Sequence, residues 1–338
     1  MDFRDFEHKA PLQRIWDGMI PIELQLASAD AIELLASAVL PEPFQTFYLL
    51  VPRVSYFPFM CTQIKERWLD PMFSISGSRT PGNSVIKESE MWFEYRGQAL
   101  KWHYPVGLLY DMLVADVVGG QPELPWGLTL HVRKFPATKL VPGVGVQAMR
   151  DMFMAMIKEA DFIRNGSTKK VMDLAKSDQM QFLDGLETHS FEKYFAIRSI
   201  IIPSQDARPP VSARGGGTAA GRTVPKAIPL KFYMQTMSAP EENERAVTAG
   251  AARQPDMSQF HVAQFPVPLM REGSAELTTL ADAFKLCYEI TGQNDDAFVG
   301  NCVCLSQGIC VPWETPISWL ADNLFYADCF LHLVVVGV

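Results

Sequence analysis

MWFEYRGQALKWHYPVGLLYD, residues 91–111, sets a hairpin and a helix end to end, and FVGNCVCLSQGICVPWETPISWLADNL, residues 298–324, does so again. In the first stretch MWFEY and QALKW are β-forming runs joined by Arg96-Gly97, a pair suited to a tight turn. Pro105–Val114 then reads as a compact apolar helix. In the second stretch Phe298–Leu305 and Ile309–Val311 flank a Ser306-Gln307-Gly308 turn, and Pro316–Leu324 opens as a helix after Thr315.

Working outward, the surroundings of both stretches match as well. Ile20–Ala27 alternates as a strand with Ile20, Ile22, Leu24 and Leu26 on one side. Tyr48–Val54 is a second strand, Phe59–Leu69 carries a helical pattern, and Trp126–Phe135 closes the set. Around the later stretch lie strands Leu230–Thr236 and His261–Val267, a helix Leu277–Tyr288 and a closing strand Phe330–Val336. Each copy reads strand, strand, helix, strand, strand, helix, strand, the β-grasp order of ubiquitin. Neither copy ends in the exposed Gly-Gly tail of a modifier, so the expected role is to receive modifiers rather than to be one.

Between the copies the period changes to that of helices. Met149, Met152, Phe153, Met156, Ile157, Ala160 and Ile163 recur at spacings of three and four along Val146–Ile163, and Gly166 is a natural stop. Val171–Leu186 and Ser190–Ile200 continue the pattern. Near the start, Pro11–Asp17 is a short helix whose Leu12, Ile15 and Trp16 share a face; so short a helix needs a domain or partner to pack on. The expected fold is α+β: two ubiquitin-like β-grasp domains flanking a helix-rich domain, preceded by a short N-terminal helix. The expected boundaries are 1–18 for that helix, 19–138 for the first ubiquitin-like domain with a polar insertion at 74–90, and 142–203 for the helical domain. A linker at 204–226, rich in Pro, Gly, Ser and Ala, leads to the second ubiquitin-like domain at 227–338, with a polar insertion at 241–258.

Bulk properties narrow the function classes. A chain of 338 residues, 48% hydrophobic and 20% charged, suits two or three domains with real cores. A formal charge of -8 argues against a nucleic-acid surface. No apolar run approaches the ~18–20 residues of a membrane-spanning helix. The acidic opening MDFRDFE is unlike a signal peptide. Six cysteines in so apolar a chain do not resemble a disulfide framework, and the reducing cytosol is the expected compartment.

Residues that could carry chemistry have plain structural readings beside them. Gly119-Gly120 and Gly215–Gly217 lack the following Lys-Ser/Thr of a phosphate loop and read as turn and linker. Cys302, Cys304 and Cys310 lack the paired spacing of a zinc site and read as buried free thiols, so no metal and no cofactor is implied. A cysteine–histidine hydrolase has no nucleophile signature around any cysteine. His103, between Trp102 and Tyr104, reads as a packing residue in a dense aromatic cluster. Lys158 lies just off the apolar stripe of its helix; isopeptide chemistry needs an exposed primary amine, but spacing alone does not single it out from the other lysines.

The runs YLLVPRVSYFPF (48–59), MWFEYRGQALKWHYPVGLLYD (91–111), LPWGLTLHVRKFP (124–136), MIKEAD (156–161) and ETPISWLADNLFYADCFLHL (314–333) closely resemble the autophagy protein 5 family, over nearly all of the chain outside the polar insertions. The resemblance implies a non-catalytic subunit of an E3-like complex, cytoplasmic and recruited to the phagophore membrane by peripheral contact. It implies that Lys158, within MIKEAD, accepts the ubiquitin-like autophagy protein 12 by an isopeptide bond. It implies a groove for the N-terminal helix of autophagy protein 16, with Ile15 and Trp16 as candidates, and an engagement of the lipid-conjugating E2-like enzyme through the conjugate. The outcome would be attachment of another ubiquitin-like protein to phosphatidylethanolamine as autophagosomes form. The insertions and Ala327, where the family pattern leads one to expect proline, depart from it. An unmodified ubiquitin-like adaptor and a cysteine hydrolase are the competing readings.

Overall fold

Ile20, Ile22, Leu24 and Leu26 are buried along one face of β1 (Met19–Leu26), as their alternation predicts. The structure, a computed structural model, describes residues 11–35, 40, 42, 44–75, 86–114, 123–202, 225–235, 257–291 and 302–337. Residues 11–16 are the short helix α1. Between β1 and β2 (Phe47–Pro52) comes a helix that the sequence pattern did not predict, α2 (Ser28–Leu35). A distant contact holds it: the Asp30 carboxylate accepts the Val132 N–H at 2.8 Å, 102 residues away.

The next helical run, α3, is longer than the Phe59–Leu69 expected. It passes from a 3-10 turn at Phe57–Met60 through Cys61–Ile64 and a π-turn at Lys65–Leu69 to Asp70–Ile75. Met72 is fully buried, and its packing extends the helix into the start of the presumed insertion. At the far edge of that insertion Glu88–Glu90 forms a 3-10 turn; residues 76–85 lie outside the described residues. The hairpin β3 (Trp92–Tyr95) and β4 (Gln98–Ala99) turns through Arg96 and Gly97 at φ 48° and 84°, the pair of positive values a type I′ turn requires. Helix α4 (Val106–Leu113) and strand β5 (Trp126–His131) complete the domain, whose sheet runs β2-β1-β5-β3-β4 with β1 and β5 parallel.

The helical domain contains α5 (Val146–Asn165), α6 (Lys169–Met172), α7 (Lys176–Glu187) and α8 (Phe191–Ile201). The single helix expected over Val171–Leu186 is divided in two. Ala175 takes an extended conformation (φ -58°, ψ 153°), and this turns the chain while Leu174 remains buried.

The second β-grasp set is β6 (Ala227–Gln235), β7 (Phe260–Pro268), α9 (Leu280–Thr291), β8 (Cys302–Ser306), β9 (Ile309–Val311), α10 (Ile317–Asn323) and β10 (Leu331–Gly337). Its sheet order, β7-β6-β10-β8-β9, repeats that of the first domain strand for strand, with β6 and β10 parallel. Helix α9 starts three residues later than expected. Thr279 and Asp282 cap its start reciprocally, with Thr279 N–H on the Asp282 carboxylate at 2.9 Å and Asp282 N–H on Thr279 Oγ1 at 3.3 Å. Met257 and Ser258, assigned to the second insertion, belong instead to a 3-10 turn; Met257 is buried and its N–H donates to Gln98 Oε1 at 2.9 Å. Most of the linker, residues 204–224, lies outside the described residues, as do 241–256 and 298–301.

The two sheets are buried differently. On the first, Tyr48 and Leu50 are exposed, and only the inner face packs, against α3 and α4. On the second, β10 is buried on both sides, as its unbroken apolar run Leu333–Val336 indicates. One side packs on α9 and α10. The other contributes Tyr233, Leu305, Val334 and Val336 to the core of the first domain. A buried ion pair marks this seam. Arg53 Nη2 bonds the Asp111 carboxylate, whose other oxygen accepts the Gly308 N–H at 2.9 Å from the second domain. Burial pushes the Asp111 carboxyl above its usual range, against the pull of Arg53.

Candidate functional site

Helix α5 lies where the three domains meet. Gly145 precedes it, and Gly166 ends it in the left-handed conformation at φ 72°. Met149, Phe153, Ile157, Ala160 and Arg164 form its buried face. Five bonds tie the helix to its neighbours. Arg150 forms a two-pronged pair with Glu187 at 2.5 and 2.7 Å, and Lys226 N–H donates to Arg164 O at 2.7 Å. Gln264 of β7 donates to Glu159 at 2.7 Å, and the buried Arg164 donates to Cys329 O at 3.4 Å. Burial, and after it the charge of Arg198, holds the Arg164 guanidinium below its ordinary pKa.

Lys158 rides on this fixed helix, half-buried, with no ion-pair or hydrogen-bond partner among the described residues. Its neighbours on α5 are otherwise engaged. Glu159 is held by Gln264, and buried Asp161 accepts the Asn165 amide at 2.6 Å through one carboxylate oxygen. The lysine is therefore an unpaired amine on a rigid support, which is what presentation to an electrophile requires.

Ile15 and Trp16, expected together in a partner groove, separate. Trp16 is 0% exposed and closed to any partner. It stacks on His189 at 4.9 Å and meets Tyr194 in a tilted contact at 4.6 Å, with the edges of Phe191 and Phe195 beside it, and its indole N–H donates to His189 O at 3.3 Å. The short helix α1 needed a surface to pack on, and Trp16 fastens it to that of α8. Ile15 is half-buried and touches the cores of both the helical domain and the second β-grasp domain. Near the Gly308 turn an apolar hollow of about 570 Å³ opens between β9 and α10, lined among others by Val311, Pro316, Leu320 and Leu324. Ile309 and Trp319 are exposed at its edge. The spacing of Ile317, Leu320, Ala321 and Leu324 marks their helix face as core and places Trp319 on the opposite, outward face, where it is found.

Five of the six cysteines are disposed as packing residues. Cys61, Cys287, Cys302, Cys304 and Cys329 are buried. Burial pushes the Cys61 and Cys287 thiols up to about 12 and Cys302 to about 11, so they stay protonated near neutrality. Cys310, expected to be buried with Cys302 and Cys304, is instead exposed on β9 at the apolar hollow. Among the described residues no cluster of three or more His, Cys, Asp or Glu is placed to hold a metal ion, and no helix is long and apolar enough to cross a membrane.

Comparison with known proteins gives one family throughout. Models described as the UblA domain, the alpha-helical bundle region and the UblB domain of autophagy protein ATG5 match residues 15–132, 146–204 and 227–335. Autophagy protein 5 of Arabidopsis thaliana is 28% identical over 97% of this chain and 98% of its own length. That of Drosophila melanogaster is 28% identical over 96% of each. In fold, the chain is similar to the crystal structure of Kluyveromyces marxianus Atg5, with a TM-score of 0.63 at 22% identity over 96% of this chain and 99% of that one.

Proposed function

The chain belongs to the autophagy protein 5 family and acts in autophagy, and from that premise we propose that it is a non-catalytic scaffold that accepts the ubiquitin-like autophagy protein 12 on Lys158. The observation that carries this reading is the state of Lys158: an unpaired amine within MIKEAD, on a helix bonded to α7 and to the second β-grasp domain. The scaffold also binds the N-terminal helix of autophagy protein 16. The exposed apolar hollow beside Trp319 and the half-buried Ile15 support a seat for an amphipathic helix, which would lay its apolar face there. With both partners in place the complex works as an E3-like factor. It holds the lipid-conjugating E2-like enzyme at the phagophore membrane, from the cytoplasmic side and by peripheral contact, and proximity speeds transfer of a ubiquitin-like protein to phosphatidylethanolamine.

The test is a conjugation reaction reconstituted with the activating and conjugating enzymes. The native chain forms a covalent adduct with autophagy protein 12, and Lys158→Arg forms none. An adduct that persists on Lys158→Arg rejects this lysine as the acceptor. No adduct on the native chain would favour an unmodified adaptor.

A further inference from the structure

Strand β2 is an edge of the first sheet, and its ladder with β1 shows which backbone groups it leaves free. The pairing is antiparallel, in the register Ile20↔Val51, Pro21↔Leu50, Ile22↔Leu49 and Glu23↔Tyr48. Opposed residues in such a ladder alternate between bonded and unbonded pairs. Arg53 N–H donates to Gly18 O at 2.9 Å, which makes that pair bonded, and Pro21 has no N–H to give Leu50. Both facts put Leu50 and Tyr48 in unbonded pairs, so their N–H and C=O groups point out of the sheet edge. Among the described residues nothing bonds those groups. The two side chains, 66% and 64% exposed, stand on the outer face.

The other edges are blocked. Strands β4 and β9 are only Gln98–Ala99 and Ile309–Val311. Strand β7 holds in the second sheet the place of β2 in the first. Its pairs Pro229↔Pro266 and Ala227↔Pro268 put prolines at outward positions, where an added strand would find no N–H. The sequence FYLLVP of β2 has no proline before Pro52 and no charge, so it lacks the usual devices that keep edges apart.

We propose that this edge is an interface between two copies of the chain: β2 pairs antiparallel with β2 of a second copy about a two-fold axis at Leu49, joining the two first-domain sheets into one. The occupant is a second copy because the edge is complementary to itself. Turned about Leu49, Tyr48 lies opposite Leu50 of the second copy, so outward groups meet outward groups and each such pair exchanges both its bonds. The faces match as well. Tyr48 meets Leu50 on the outer face, and Leu49 meets its own counterpart on the inner face beside half-buried Phe47. An axis at Leu50 would set Pro52 against Tyr48 and lose bonds, and an axis at Tyr48 would shorten the overlap. No charge lies near the axis to oppose the approach.

The experiment is sedimentation of the full chain between about 1 and 200 μM, with circular dichroism to show each variant folded. The native mass should rise with concentration toward twice that of the single chain. Tyr48→Pro removes an outward N–H and spares the ladder with β1; Leu50→Lys puts two ammonium groups diagonally across the pair. Each should raise the dissociation constant about tenfold or more. Should Tyr48→Pro not fold, Leu50→Lys, at an exposed position, decides. Leu49→Cys on a Cys310→Ser background tests the register: on air oxidation a disulfide should join the two copies, since opposed residues of an unbonded pair lie close enough for one. A native chain that stays monomeric throughout overturns the proposal. If that chain then takes up a synthetic peptide of residues 46–52, the edge belongs to an extended segment of another protein instead. A dimer that neither variant weakens, or that forms no disulfide through Leu49→Cys, also overturns it, because its contact lies elsewhere.

Discussion

Two residues show how little freedom the packing leaves. Gly107 donates its N–H to Arg53 O at 2.8 Å, and a Cβ placed there would lie 2.8 Å from Arg53 Cβ and 2.9 Å from that same oxygen. Backbone blocks the relief, so Gly107→Ala should cost about 1–3 kcal/mol, read as a lower midpoint in chemical denaturation with unchanged slope. Trp16 presents the opposite case, a large side chain whose removal leaves a hole. Trp16→Ala loses the stack on His189 and the tilted contact with Tyr194 and should cost about 3–5 kcal/mol. Hydrogen exchange would show the loss concentrated in residues 11–16 and along α8. If exchange rises equally in β6 and β10, the residue supports the whole molecule rather than the seating of α1. At this scale the sequence was partly legible. Trp16 stood on an apolar face with Leu12 and Ile15, which announced burial, but nothing local told whether a domain or a partner would provide it.

Elements were legible wherever the period was set by burial against one surface. The alternation of β1 and the three-and-four spacing of α5 both follow from a single buried face. The unbroken apolar run of β10 was legible as a strand, while the reason for it, two buried faces, needed the first domain in place. Helix α2 was invisible because its bond to Val132 spans 102 residues. On α5, Asp161 falls beside Ile157 on the edge of the apolar stripe, a signal of burial available from the sequence and overshadowed by Lys158. The antiparallel pair α7 and α8 gives a direct test of element packing. At Gly185 a Cβ would lie 2.6 Å from Tyr194 N and 2.9 Å from Tyr194 Cα, so the helices approach there through backbone alone. Gly185→Ala should push them apart at a cost of about 1–3 kcal/mol. The Tyr194 hydroxyl bond to Ala327 O, 2.7 Å long, would lengthen with them. Tyrosine fluorescence or near-ultraviolet dichroism would report the shift; an unchanged melting temperature would mean that α8 slides without loss.

The whole molecule is held by a seam between its two β-grasp domains, and the seam contains groups that respond to acid. His103 sits there beside Tyr104, whose ring meets that of Tyr233 at 5.6 Å. Burial first, then the charges of Lys101 and of Lys231 across the seam, pushes the His103 pKa from 6.5 down to about 4. The sign follows from proton linkage. Between pH 6.5 and 4 the unfolded chain binds a proton that the folded chain refuses. Stability is therefore full above the upper value and is lost as pH falls toward the lower one. At about 1.4 kcal/mol per pH unit, reduced for partial solvent contact, the loss attributable to this one group is roughly 2 kcal/mol. Burial lowers His131 and His189 too, so the native pH curve sums several groups and only a difference isolates one. His103→Gln should flatten the stability profile between about pH 6.5 and 4 relative to the native chain and match it near pH 8. Parallel profiles would place the acid response elsewhere. Asp111 supplies the complementary measurement on the same seam. Asp111→Ala leaves Arg53 buried without its partner and the Gly308 N–H without its acceptor, which should cost about 3–5 kcal/mol. Because the lost bond to Gly308 joins the domains, exchange should quicken first at the Gln307-Gly308 turn and then through β8 and β9, before α5 is affected. Should α5 loosen at the same rate, the seam and the acceptor helix form one cooperative unit, and any force that parts the two β-grasp domains would also release Lys158 from its rigid support.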